Sequence, residues 1–248
     1  MLRISSVVLV CFLVSSGATT FAQKVKKLKV DDYDCFCKRE YTVLKKQSDV
    51  KHGRYRVTHV EGYPISDGYY KMNKKDSLWT YFNRYKATTS SQGYYYNDVK
   101  VGVWKYFNHK DELQHSFDHT SKALYYTTFI DTVIFRSIVL KDTIIQDKVD
   151  RAPIFLLGKS EQNRIISENI TYPREAIEKN IFGTVYVFFV IDEFGEAKDH
   201  HVKDTLGGGC DQEALRVVQL IPNDWVPAIY KGKLAECEIS IPITFMLN

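Results

Sequence analysis

The side chains able to do chemistry fall into a few groups in this 248-residue sequence, and most lack the company that chemistry needs. Cys35-Phe36-Cys37 offers two thiols, but a structural zinc site needs four ligands and no second pair stands at a recognised spacing. His115 and His119 have the i, i+4 spacing that holds a metal on a helix. The residues around them have no helical pattern, so solvated histidines are predicted there. His200-His201 falls on a predicted strand, where neighbours point to opposite faces and a surface pair is expected. Gly207-Gly208-Gly209 at a helix start could form an anion nest, but no phosphate-loop lysine accompanies it. No Gly-x-Ser-x-Gly occurs, and the acids Asp31-Asp32 lie in a segment without clear period. The expectation is a protein that is not an enzyme, with no catalytic residue, no metal and no cofactor.

What remains is the chemistry of backbone groups at a strand edge. From Ala235 to Leu247, Cys237, Ile239, Ile241, Ile243 and Phe245 alternate with Glu236, Glu238, Ser240, Pro242 and Thr244. A period of two predicts a strand with one face on a core and one in water. Pro242 has no N–H to give, so one side of the strand is predicted to be unpaired and the strand to lie at a sheet edge. An open edge invites another chain to pair with it, unless the protein blunts it. Glu236, Glu238, Ser240, Pro242 and Thr244 are therefore the candidate partner-binding residues.

The elements that must position this strand are legible from Val149 onward. Pro173 stands where a helix starts and Asn180 where it can stop. Val185–Ile191 is apolar on both faces, which predicts a central strand. Asp192-Glu193-Phe194-Gly195 is a turn into a second strand over about Glu196–Lys203. Asp211 and Glu213 suit the first turn of a helix. Its stripe is Ala214, Val217, Val218 and Ile221, and Pro222 closes it. Lys231-Gly232-Lys233 then turns the chain into the closing strand. The prediction is an α+β domain over 149–248, with two helices and three antiparallel strands.

The middle of the chain repeats. Gly68-Tyr69-Tyr70 recurs as Gly93-Tyr94-Tyr95, and Leu78-Trp79-Thr80-Tyr81-Phe82-Asn83 as Val103-Trp104-Lys105-Tyr106-Phe107-Asn108, both at an offset of 25 residues. Fixed-period similarity predicts stacked units, here one hairpin each around turn signals at Asn73-Lys74-Lys75-Asp76 and Asn97-Asp98. His52–Val57 reads as a degenerate earlier copy, with Gly53 and Tyr55 in the places of Gly102 and Trp104. Trp79 and Trp104 are expected in the sheet's own core. The runs between Leu124 and Gln146 are expected to extend the same mostly antiparallel β-meander, which spans 50–148.

Residues 23–49, rich in Lys and Asp, read as a linker. Residues 1–22 read as a secretory signal: Arg3, an apolar Val7–Val14, and a small-residue end at Ala22. An uncleaved inner-membrane anchor is the less favoured reading. The four cysteines beyond it (Cys35, Cys37, Cys210 and Cys237) permit disulfides in an exported protein, and the pairing stays open. A net charge of +4 with no basic stripe argues against nucleic acid.

Two resemblances follow. The repeat at about 50–110 resembles the MORN type, with Asp76-Ser77 in place of the glycine before Trp79. From Val149 to the end, the chain closely resembles the TonB C-terminal domain. The resemblance rests on Tyr172-Pro173, Glu175-Ala176, Gly183-Thr184-Val185-Tyr186-Val187, Gly207-Gly208-Gly209-Cys210-Asp211, Trp225-x-Pro227-Ala228 and Ile241-Pro242-Ile243-x-Phe245. It implies a periplasmic, non-enzymatic module of Gram-negative bacteria. Such a module grips a segment of an outer-membrane TonB-dependent transporter, or another envelope protein, by strand addition at its last strand, in energy-coupled transport. Within that family the glycine run is a structural bend. The alternative is a structural envelope protein whose last strand pairs with its own copy in a homodimer. The sequence has no long Pro-rich spacer, which sets it apart from the family's transducers.

Overall fold

The aromatic repeat builds a nine-stranded antiparallel meander in which each strand pairs with the next in sequence. Its first five strands are β1 (Val25–Asp32), β2 (Cys37–Leu44), β3 (Gln47–His59), β4 (Pro64–Lys71) and β5 (Lys74–Phe82). β6 (Thr89–Tyr96), β7 (Val99–Phe107), β8 (Leu113–Asp118) and β9 (Ala123–Thr127) complete it. The computed structural model describes residues 24–33, 35–83, 86–128, 135–140 and 143–247; the leader expected over 1–22 lies outside the described residues.

The hairpins owe their shape to turn chemistry. Met72-Asn73 and Asn97-Asp98 have positive φ at both positions (52° and 67°, 51° and 71°), the backbone of a two-residue hairpin turn that matches strand twist. Each turn also ties to the preceding hairpin, because Asn73 Oδ1 accepts the Lys51 N–H and Asp98 Oδ1 the Lys75 N–H, both at 2.7 Å.

The paired glycines and tryptophans of the repeat form one interlock. Trp79 and Trp104 are fully buried, as expected. Their indole N–H groups donate to the carbonyls of Tyr69 and Tyr94 at 2.9 and 3.0 Å. Each ring lies flat on the glycine of the strand before it: a Cβ on Gly68 would sit 2.2 Å from the Trp79 ring, and one on Gly93 2.3 Å from Trp104. Tyr55 takes the tryptophan's place in the degenerate copy; it pairs with Gly68 as Trp79 pairs with Gly93. Before each ring the backbone turns left-handed, at Gly53 (φ 102°), Ser77 (62°) and Gly102 (61°). Serine thus stands where the repeat favours glycine.

Residues 24–49, expected as linker, carry β1, β2 and the start of β3. Lys27 and Lys29 pair with Glu40, and Arg39 with Asp32. β1 is mostly exposed and β2 buries only Cys37, Val43 and Leu44 at its ends, so the run lacks the apolar alternation by which strands are read and the pattern concealed it.

The remainder forms the second layer. β10 (Phe135–Leu140) and β11 (Thr143–Lys148) make a hairpin, followed by the short β12 (Ile154–Phe155), α1 (Gly158–Asn169) and α2 (Arg174–Glu178). Then come β13 (Gly183–Ile191), β14 (Ala197–Val202) and α3 (Cys210–Val218). β15 (Trp225–Val226), β16 (Ala228–Tyr230), β17 (Lys233–Ala235) and β18 (Cys237–Phe245) close the chain. The main sheet has the order β11-β10-β18-β13-β14, all antiparallel. The α+β, mostly antiparallel character is as expected, with two corrections. β10 and β11 leave the meander and join this sheet, making five strands rather than three. A third helix, α1, precedes the two expected; it buries only Gln162 and Ile165 and is held outside by Arg164 between Glu161 and Glu168. So thin an apolar stripe gives little periodic signal.

One core packs α3 (Ala214, Val217, Val218) against Val185, Val187 and Phe189 of β13 and Ile241, Ile243 and Phe245 of β18. A second core joins the layers, with Ile154, Leu156 and Val226 on the aromatic face of Trp79, Trp104, Tyr106 and Phe117. At its margin Lys100 Nζ meets Asp224 at 2.5 Å. Cys35 and Cys37 form a disulfide, whereas Cys210 and Cys237 are free and buried.

Candidate docking edge

β18 is held on one side along its whole length. Its nine residues pair with β13 from Cys237 opposite Ile191 to Phe245 opposite Gly183. Ile241, Ile243 and Phe245 point into the core, and Ser240, Pro242 and Thr244 lie exposed on the other face. Pro242 stands opposite Tyr186. A proline fits there only if its nitrogen faces away from β13. By the period of two, the N–H groups of Ser240 and Thr244 face away as well.

On that far side the strand is not an edge throughout, which corrects the expectation from Pro242. β10 pairs with the first two residues, Ser137 opposite Glu238 and Ile138 opposite Cys237, and the Val139 N–H donates to the Glu236 carbonyl at 3.0 Å. Among the described residues, no strand pairs with Ile239–Phe245 on that side. Proline therefore reported the local state of the edge correctly, while a hairpin distant in sequence covers its beginning.

Beyond Glu238 the two strands diverge around open space. A cleft of about 380 Å³ lies between Phe135, Arg136 and Pro153 on one side and Ile239 and Ser240 on the other. A second, of about 610 Å³, follows the same backbone to Ile241 and reaches Lys159 and Gln162 of α1. Among the described residues, the unpaired edge at Ile239–Ile241 thus borders open space.

The five candidate residues divide accordingly. Glu236 lies just before β18 and pairs with Lys198 at 2.6 Å. Glu238 has a buried side chain, gripped by Lys203 at 2.8 Å with His201 at 3.6 Å. Both sit where β10 covers the strand. Ser240, Pro242 and Thr244 are exposed along the uncovered part, with Thr244 Oγ1 3.0 Å from Thr184 Oγ1.

Other candidate side chains find local partners. His115 and His119 are not the solvated pair expected: His115 is buried in β8 against Thr127, and His119 is bonded to the Tyr106 hydroxyl. Burial lowers both imidazoles to about 4. They lie on a strand and just past it, where i, i+4 spacing confers no common target. His200 and His201 are half-buried, stacked on Phe189 and Phe188 respectively. Burial pushes the Cys237 thiol up to about 12, so it is no nucleophile. Asp32, Cys35 and Cys37 are the one cluster of three metal-type ligands among the described residues, and its thiols are joined in the disulfide.

Residues 168–247 match the family model of the Gram-negative bacterial TonB protein C-terminal. A search of curated proteins gives no match. A search of solved structures gives none either. The TonB match begins at the end of α1 and runs through β18, so it contains the docking edge and leaves the meander and the β10–β11 hairpin outside. TonB C-terminal domains are envelope-associated and act by binding proteins. No helix among the described residues is long and apolar enough to cross a membrane.

The repeat also holds side chains that its sequence reading missed. Lys51, Lys75 and Lys100 recur at 24 and 25 residues, a spacing visible in the sequence once the tryptophans are aligned. Each ammonium lies over aromatic rings: Lys51 over Tyr55, Lys75 over Trp79 and Lys100 over Trp104, at 4.4–5.5 Å from the centroids. Lys100 alone of the three also bonds the second layer.

Proposed function

We propose that this protein is a periplasmic binding module that takes an extended segment of an outer-membrane transporter, or of another envelope protein, as an added strand along Ile239–Phe245. The single observation that carries the reading is the half-covered β18: an ordered strand inside a TonB-matched domain, its far edge unpaired beside an open groove. An incoming strand meets the N–H groups of Ser240 and Thr244 and the carbonyls of Ser240, Pro242 and Thr244. Main-chain hydrogen bonds supply affinity, and the exposed side chains of these three residues select the partner. Glu236 and Glu238 serve by fixing the strand to β14 and its flank rather than by touching the partner.

The test is titration of the protein with peptides from transporter plug segments, followed by amide exchange across β18. Binding should protect Ser240 and Thr244. Ser240→Pro removes one donor worth about 1 kcal/mol, so affinity should fall roughly fivefold to tenfold. Peptides that fail to bind, or that bind Ser240→Pro equally well, refute strand addition. A dimer that Ser240→Pro dissolves would instead make β18 a self-association edge.

A further inference from the structure

A cleft of about 670 Å³ between the two layers is assigned no role by strand addition, and it lies away from β18. One wall is the aromatic face of the meander, where Tyr81 and Tyr95 present half-buried rings with their hydroxyls 3.3 Å apart. Lys75 Nζ donates to the Tyr81 hydroxyl at 2.7 Å and lies over both rings, which fixes the two phenols. Burial raises both phenol pKa values, Tyr95 to about 12, so each keeps its proton and can donate. The opposite wall carries planar polar groups: Glu161 and Arg164 of α1, with Asn223 and Asp224 before β15.

The charges lining the cleft cancel. Lys100 is matched by Asp224 at 2.5 Å and Arg164 by Glu161 at 2.5 Å. Lys75 and Lys122 are offset by Asp98 and Glu196 among the lining groups. With Lys75, Lys100, Lys122 and Arg164 balanced in number by Asp98, Glu161, Glu196 and Asp224, the cleft presents no net charge to a phosphate, a carboxylate or a cation. A purely apolar ligand would strip water from the phenols, the amide and the ion pairs without replacing their hydrogen bonds. A neutral molecule with hydroxyls around an apolar ring can bond the phenol hydroxyls on one wall and the polar groups on the other.

We propose that this inter-layer cleft is a binding site for a neutral saccharide, held between the Tyr81–Tyr95 wall and the polar groups of α1 and the loop before β15. The site does not depend on strand addition at β18. Saturation-transfer NMR of the full chain with maltose, cellobiose and diacetylchitobiose tests it. At least one should bind saturably with a Kd in the millimolar range or tighter. Tyr81→Leu removes a ring and a hydroxyl, and Glu161→Gln changes a half-buried side chain on the cleft side of α1, outside the hydrophobic core. Each should weaken binding about fivefold to tenfold, roughly the worth of one hydrogen bond. The proposal is overturned if none of the three sugars saturates, if binding is indifferent to Glu161→Gln, or if an anionic sugar such as glucuronate binds more tightly than its neutral counterparts.

Discussion

Replacing Gly93 with alanine tests the interlock on which the meander rests. Gly93 pairs with Trp79 on one side, and the Trp104 ring covers its Cα from above. A Cβ there would lie 2.3 Å from the Trp104 ring atoms, far inside contact distance. Trp104 cannot swing out, because it is fully buried, donates to the Tyr94 carbonyl and is packed against Tyr95 and Tyr106. Overpacking of this kind costs about 1–3 kcal/mol. A displaced indole forfeits a further hydrogen bond worth roughly 1 kcal/mol. Gly93→Ala should therefore destabilise the protein by about 2–4 kcal/mol in equilibrium urea unfolding. The cause is separable by a double-mutant cycle. Trp104→Leu removes the clash, so Gly93→Ala should cost at least about 1 kcal/mol less in that background. A Gly93→Ala change below roughly 0.5 kcal/mol, or additive costs in the cycle, would refute the interlock.

Two further outcomes are expected. Ser77 holds a φ of 62°, nearly that of Gly102, and this backbone costs a side-chain-bearing residue about 1 kcal/mol, so Ser77→Gly should raise the unfolding free energy in urea titration by roughly 0.5–1 kcal/mol. The folded-state pKa values of His115 and His119, near 4, lie below the ordinary 6.5 because burial opposes protonation. The unfolded chain then binds more protons between the two values, so stability is complete above about 6.5 and declines as pH falls toward 4. Unfolding midpoints measured across that window should drop, and His115→Gln should flatten the slope; a midpoint independent of pH there would contradict the buried, neutral state.

Much of the fold was legible because its signals are local. The alternation of Ile241, Ile243 and Phe245 encoded a half-buried strand, and the 25-residue repeat encoded a meander with tryptophans inside. Both patterns depend only on spacing along the chain. α1 escaped because its outer face is built from Arg164 and two glutamates, and β1–β2 because β1 is mostly exposed, its lysines pair with a β2 acid, and β2 buries only Cys37, Val43 and Leu44 at its ends. The solvated state expected of His115 failed for a related reason: burial is conferred by the elements that pack around a residue, which its neighbours in sequence do not reveal.

The candidate site divides along the same line. The sequence alone determined that β18 exists, which of its side chains face the core, and that the backbone around Pro242 must lack a partner, since a ring nitrogen without hydrogen cannot enter a ladder. Tertiary structure alone decided how much of the edge is open. Ser137 and Ile138, about a hundred residues earlier, close the strand at Cys237 and Glu238, and among the described residues no strand covers Ile239–Phe245 on that side. It also decided that Glu238 is buried in ion pairs while Ser240 and Thr244 remain exposed. Periodicity fixes which way a side chain points, but an edge is defined by the strand that docks beside it, and that docking is a long-range packing event no local pattern records.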